Sequence, residues 1–242
     1  MGPGLAMAVT GAVAFAGKAV IVKLAYRYPV DAVTLIMLRM LFALPFFLVM
    51  AWWAGRGKPP LSPRDWAAVA GLGVSGYYLA SFLDFMGLQY ITASLERLIT
   101  YLTPTLVLVL AWLLQGKRWR PLQVAGMAIS YAGVLVVFGQ EVRLAGSNVA
   151  LGAALVFAST ISYALYLIYN GQVVQRLGSL RLVGLATSVA CACCIVQYLL
   201  LRPMATVLAV APPVVWLSVL NATVCTVVPV LLVMMAVERI GP

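Results

Sequence analysis

Gly87-Leu-Gln-Tyr-Ile-Thr-Ala93 follows a long apolar run, and Ala236-Val-Glu-Arg-Ile-Gly-Pro242 follows another. Aligning Gln89 with Glu238 sets the two junctions 149 residues apart. The echo predicts two copies of one unit, over residues 1–140 and 149–242. At the same offset, copies of the fourth and fifth apolar runs would occupy about 243–288, so the second copy is expected to hold three helices of five.

The composition says what the unit is. The chain is 64% hydrophobic and 9% charged, with mean hydropathy +1.05. Apolar runs of about 20 residues, enough to cross a bilayer, recur along its length. Such runs must satisfy their own backbone hydrogen bonds as helices; a barrel would need short alternating strands instead. The fold expected is an all-α membrane protein, a polytopic bundle. The net charge of +10 does not point to nucleic acid, because Lys and Arg lie mostly in short interhelical loops rather than in one basic patch. Cys191, Cys193, Cys194 and Cys225 lie within apolar runs of a chain that has no His. They read as small packing residues, and no metal or cofactor is expected. The first run has no basic residue before it and no small-residue cleavage site leading to a soluble domain, so it reads as a retained helix.

Eight spans are expected, at about 4–26, 32–53, 66–88, 92–115, 121–139, 149–171, 182–201 and 212–237. Breakers mark the turns between them: Tyr28-Pro29, Gly57-Lys58-Pro59-Pro60, Arg120-Pro121, Arg202-Pro203 and Pro212-Pro213. With a cytoplasmic N-terminus, the inner loops carry Arg56, Lys58, Arg64, Lys117, Arg118, Arg120, Arg176, Arg181 and Arg239. The outer loops carry Arg27, Arg143 and Arg202. Positive charge concentrates on the cytoplasmic side of membrane proteins, so this excess places the N-terminus inside, in the cytoplasmic membrane. Five spans separate the two junctions, an odd number, so the copies are expected to be inverted. Inverted repeats are the architecture of many secondary transporters, with substrate held near the midplane between them.

Several segments also resemble one family. Gly87-Leu-Gln-Tyr-Ile-Thr-Ala-Ser-Leu-Glu-Arg-Leu-Ile-Thr-Tyr-Leu-Thr-Pro-Thr-Leu106 is similar to the junction of spans three and four in EamA-type proteins of the drug/metabolite transporter superfamily. Leu-Leu-Gln-Gly-Lys-Arg118 resembles that family's span-four end, though Gln115-Gly-Lys117 lacks the usual acidic residue after Gly. Ser130-Tyr-Ala-Gly-Val-Leu-Val-Val-Phe-Gly139 resembles its fifth helix, and Ala236–Pro242 the junction of the second copy. The resemblance implies ten helices in two inverted five-helix halves, both termini cytoplasmic, and movement of small metabolites. Eight of the ten helices are expected in this chain.

Ionisable groups inside a bilayer are costly and often functional. Lys18, Lys23, Arg39, Asp84, Glu96 and Arg97 lie within the first four spans, all in the expected outer half. Asp84 and Glu96 are expected to pair with Lys23, Arg39 or Arg97 and close the outer side of a cavity. The competing reading is snorkelling of near-end groups to the headgroups. Lys18 and Arg39 lie deeper and are candidates for the cavity itself. In span six, Ser159, Ser162, Tyr163, Tyr166 and Asn170 recur on one helical face. Ser218, Asn221 and Cys225 share a face of span eight, and Glu96, Thr100 and Thr103 one of span four, with Tyr101 nearby and Pro104 expected to bend the helix. Such residues either line a cavity or bond helix to helix. Gly71, Gly73, Ser75, Gly76 and Ala80 predict close packing of span three, with Tyr77 among them facing the cavity.

The leading expectation is a secondary transporter of a small polar or amphipathic metabolite, working by alternating access among membrane lipid, with proton coupling through Asp84 or Glu96 as an option. No phosphate-binding Gly-rich loop is present. An enzyme would need convergent acids, a Ser–His couple or metal ligands, and the chain has no His. The alternative is a truncated, inactive or assembly-only membrane protein.

Overall fold

The fold, obtained as a computed structural model, is described for residues 2–116, 121, 123–129, 131–132 and 148–240. Every regular element among them is helical. Helix α1 is Gly2–Ala25 and α2 is Ala32–Gly55. Helix α3, Pro63–Leu72, runs through a π-helical segment, Gly73–Leu79, into α4, Ala80–Leu88. Helices α5, Ala93–Thr100, and α6, Thr103–Gln115, share the next span. Then come α7, Val149–Leu177, and α8, Ser179–Leu201. The short α9, Met204–Leu208, leads to α10, Pro212–Ala222. That helix continues through a second π segment, Thr223–Val227, into α11, Val228–Ile240. Seven stretches among the described residues are long and apolar enough to cross a membrane. The chain is a polytopic all-α membrane protein. About half of the expected fifth span, and the loop charges Lys117, Arg118, Arg120 and Arg143, lie outside the described residues.

Local chemistry sets the helix limits. Asp31 caps α2, accepting from the Thr34 amide. Ser62 and Asp65 form a reciprocal capping box at the start of α3, with Pro63 in the first turn. That pair starts the helix three residues before the expected 66. Thr92 accepts from the Leu95 amide to start α5. The expected bend at Pro104 is a break: α5 ends at Thr100 and α6 begins at Thr103. Pro104 has no N–H to continue the ladder, and the Thr100 and Thr103 hydroxyls donate to the carbonyls of Arg97 and Thr100 at the break. Helix α7 runs to Leu177, past the expected end at 171, and a single residue, Gly178 at φ 85°, turns the chain into α8. That positive φ suits glycine, which has no Cβ to clash.

Three packings organise the bundle. Helix α2 lies along α8, α1 lies along α11 and the end of α10, and α4 with the first π segment lies along α7. In span terms, two packs on seven, one on eight and three on six. The buried core under the first packing includes Ile36, Met40, Phe85, Cys191, Cys194 and Tyr198. In each π segment the ladder widens to an i→i+5 bond: the Ala80 amide donates to the Ser75 carbonyl, and the Val228 amide to the Thr223 carbonyl. Shifted by 149 residues, Gly73–Leu79 becomes 222–228, which encloses Thr223–Val227.

Candidate functional site

Charge gathers where α1 meets the α4–α5 junction. The Lys18 Nζ donates to Asp84 Oδ2 at 2.7 Å, with both side chains buried. The Glu96 side chain is fully buried with its carboxyl beside that of Asp84. Arg97 Nε lies 3.2 Å from Glu96 Oε2. Arg97 also donates from Nη2 to the carbonyls of Phe15 and Ala16, at 3.3 and 3.1 Å. Lys23 donates to the Leu88 carbonyl at 3.1 Å. Together these bonds clamp α1 to the helix ends of spans three and four.

The pairing differs from the one expected. Asp84 takes Lys18, a residue expected in the cavity itself, and among the described residues neither Lys23 nor Arg39 takes a carboxylate. Position explains the exchange. Lys18 lies within α1 where it crosses α4, whereas Lys23 sits at the level of the unsatisfied last carbonyls of α4. Glu96 and Arg97, adjacent in the chain, lie within ion-pair distance, without a hydrogen bond between those atoms. Arg39, in α2, donates from Nε to Thr226 Oγ1 at 3.0 Å. Its guanidinium lies 5.3 Å from the Phe85 ring centroid, and its Nη1 has no hydrogen-bond partner.

The polar stripe of span six faces span three. Ser159 and Ser162 donate to the carbonyls of Ala80 and Ser75, at 2.6 and 2.8 Å. The Ser75 carbonyl, which closes the i→i+5 bond with the Ala80 amide, thereby accepts a second hydrogen bond. Tyr166 shares a 2.9 Å hydroxyl bond with Tyr77 and stacks on Tyr163 at 5.5 Å between centroids. Gly76 permits that contact: a Cβ there would sit 2.3 Å from Tyr166 Cγ. Tyr77, Ser162 and Tyr166 therefore bond helix to helix. Asn170 is half-buried with Oδ1 unpartnered, and so is the Oδ1 of the buried Asn221. Ser218 is satisfied within its own helix by the Val214 carbonyl. The second π segment has its own hydroxyl, Thr226, which donates to the Asn221 carbonyl at 2.8 Å while accepting from Arg39.

A cavity of about 570 Å³ opens elsewhere, lined by Tyr101, Thr103, Thr105, Met127, Tyr131 and Leu167 among others. Thr105 and Tyr131 are hydroxyl partners there. Among the described residues no Lys, Arg, Asp or Glu lines it, and it is a separate place from the buried ionic cluster. Sequence reasoning named Tyr101 and Thr103 for a cavity and missed Thr105 and Tyr131. It also missed Thr226, whose only sequence signal is its spacing of five from Asn221. Among the described residues, no cluster of three or more Cys, Asp or Glu could hold a metal ion.

Known proteins give this architecture a context. A protein of known crystal structure superposes with a TM-score of 0.65 at 20% identity, covering 96% of this chain and 78% of that one. At that identity the likeness concerns the fold. The uncharacterized transporter YcbK of Bacillus subtilis is 28% identical over 146 residues, 58% of this chain and 44% of the relative. An uncharacterized transporter of Archaeoglobus fulgidus is 28% identical over 123 residues, 51% of this chain and 41% of the relative. The chain thus spans less than half the length of these relatives. The profile of the EamA-like transporter family matches residues 2–139, more than half of the chain and all of the ionic cluster at α1, α4 and α5. This chain belongs to the EamA-like transporter family and is a multi-pass membrane protein.

Proposed function

We propose that the chain forms part of a secondary transporter that moves a small polar or amphipathic metabolite across the cytoplasmic membrane by alternating access between two inverted halves. The packing carries this reading. If span one corresponds to six, two to seven and three to eight, the contact of two with seven maps onto itself. The contact of one with eight maps onto that of three with six. That self-consistent exchange is what a pseudo-twofold axis demands. Two local matches support it. The π segments fall at equivalent positions. Gly17, whose Cβ would lie 3.3 Å from Cys225 Sγ, is the 149-residue equivalent of Tyr166, which abuts Gly76, the equivalent of Cys225.

Both ends are latched, as an occluded state requires. At one end Arg202, after α8, pairs with Asp31 at 2.8 Å. At the other, Arg181 donates to the Pro59 carbonyl at 3.0 Å, Lys58 to the Leu177 carbonyl at 3.4 Å, and Arg176 pairs with Asp65 at 2.5 Å. The 1–2 and 7–8 loops make the first latch, and the 6–7 and 2–3 loops the second. These are the same loops after exchange of the halves. In our reading the first faces outside and the second the cytoplasm, following the loop charges.

Single cysteines replacing Gly57 and Met204 test the inversion. In intact cells an impermeant thiol reagent should label the one at 204 and not the one at 57. Labelling of both from one side removes the inverted repeat. Proteoliposome counterflow with a metabolite panel tests transport, and absence of exchange for every solute would count against it.

A further inference from the structure

From the environment of Arg39 we infer that this residue is the anchor for an oxyanion, a carboxylate or phosphate, carried by the transported solute. The inference rests on the transport reading and names the chemical class of what the site takes. Arg39 is 4% exposed, within α2 where α2, the second π segment and the Phe85 end of α4 converge. Cys191 and Cys194 of α8 are also neighbours of Arg39, so it borders the α2–α8 contact that the exchange of halves maps onto itself, and solute sites of inverted-repeat transporters form between the repeats.

The other cations of this region each have an acid in ion-pair range: Lys18 has Asp84, and Arg97 has Glu96 and two carbonyls, although Asp84 Oδ1 and both Glu96 oxygens lack a hydrogen-bond partner. Arg39 has one hydroxyl, on Nε, and a buried Nη1 with nothing to bond. No carboxylate among the described residues forms an ion pair with it. Asp84 is its ionisable acid neighbour and is committed to Lys18; the other titratable neighbours are the thiols of Cys191, Cys194 and Cys225. Among the five charges Lys18, Arg39, Arg97, Asp84 and Glu96, the excess is one positive, and it sits on Arg39.

A purely structural arginine would have its donors filled, because an unpaired buried charge is strongly destabilising. Here the guanidinium is held but not neutralised. Thr226 fixes Nε, and Phe85 lies against the ion at cation–π distance. Thr226 is itself fixed, donating to the Asn221 carbonyl at the π turn. The free edge is the planar fork that carboxylate and phosphate oxygens fit. A bound oxyanion would balance the interior charge and fill the Nη1 donor.

Thermal unfolding of the purified protein in dodecyl maltoside, at constant ionic strength, tests this without requiring transport. The probes are acetate, benzoate, pyruvate, phosphate and glycerol 3-phosphate, each against a neutral counterpart such as acetamide, benzamide or glycerol. At least one anion should raise Tm by about 3–6 °C at ten times its Kd, and its neutral counterpart should not. Arg39→Met should unfold at a higher temperature than the wild type without anion, because it removes an unpaired charge and leaves Thr226 bonded to the Asn221 carbonyl. It should also lose the anion shift, while Arg39→Lys keeps a reduced one. The inference fails if Arg39→Met is less stable than wild type or does not fold, if it keeps the anion shift, or if no anion in the panel shifts the wild type. Binding through Arg39 without exchange in proteoliposomes would instead overturn transport and leave the site standing.

Discussion

Substituting alanine at Gly76 should destabilise the protein severely for so small a change, and the structure allows the magnitude to be worked out. A Cβ at position 76 would lie 2.3, 2.4 and 2.7 Å from Cγ, Cδ2 and Cβ of Tyr166. Ordinary contact begins near 3.4 Å, so the ring or the backbone must move by about 1 Å. The ring is not free to do so. Tyr166 is 4% exposed, its hydroxyl is bonded to Tyr77, and its face is stacked on Tyr163. Overpacking of this kind costs about 1–3 kcal/mol, and loss of the Tyr77 bond adds about 1 kcal/mol. The better helix propensity of alanine offsets about 1 kcal/mol. The net of about 1–3 kcal/mol corresponds to a fall in Tm of about 2–12 °C for a chain of this size. Gly71→Ala is the control, because its Cβ would meet nothing within 4 Å; it should leave Tm unchanged or raise it. The assay is thermal unfolding in detergent of both single variants, of Tyr166→Ala, and of Tyr166→Ala with Gly76→Ala. In the Tyr166→Ala background the ring is gone and only the 2.7 Å contact with the residue-166 Cβ remains, so adding Gly76→Ala should cost much less than in the wild type. Contacting residues couple in this way, and the cycle measures it. If Gly76→Ala matches Gly71→Ala, or costs as much with Tyr166 truncated as without, the close approach of spans three and six is not as described.

Other consequences follow from the same bonds. Lys18→Met leaves Asp84 buried without its cation and should cost about 3–5 kcal/mol, whereas Lys18→Met with Asp84→Asn should recover most of it; equal instability of single and double variants in urea titration would deny the pair. A charge swap of Lys18→Asp with Asp84→Lys should restore folding better than Asp84→Arg with Arg39→Asp, because Arg39 lies outside ion-pair contact with Asp84; thermal unfolding of both double variants decides between them. Arg202→Gln breaks a pair that is 42% and 31% exposed, and exposed pairs contribute less than about 1 kcal/mol. Its Tm should therefore fall by no more than about 4 °C, and a larger drop would show that the latch is shielded. Ser162→Ala should cost about 1 kcal/mol, since the Ser75 carbonyl keeps the Ala80 amide, and a Tm equal to wild type would mean that the hydroxyl is satisfied elsewhere.

The membrane fold was legible because length and hydropathy are local, one-dimensional properties. The turn within 87–93 was legible because it is a short stretch with its own cap, Thr92, whereas Ala236 to Ile240 belong to α11 and 241–242 lie outside the described residues. The partner of Asp84 was not, since choosing between Lys18 and Lys23 requires the depth at which α1 crosses α4. The π segments were least visible. Gly73-Val-Ser-Gly-Tyr-Tyr-Leu79 and its 149-residue equivalent, Ala222-Thr-Val-Cys-Thr-Val-Val228, share no identity. Their likeness lies in what other helices supply. Ser162 donates to the Ser75 carbonyl at the first, and Arg39 donates to the Thr226 hydroxyl at the second. Size roles are also exchanged: Gly76 receives the large Tyr166, whereas Cys225 lies against the small Gly17. A contact keeps its separation when the bulk moves from one partner to the other, so equivalent interfaces need no matching letters. Exchange of that kind weakens any residue-by-residue comparison of the halves, while the backbone keeps the widened turn at both places. On the proposed inverted-repeat reading, the symmetry would be carried by packing and backbone geometry, and the polar stripe of span six reads correctly only when the π turn it bonds is known.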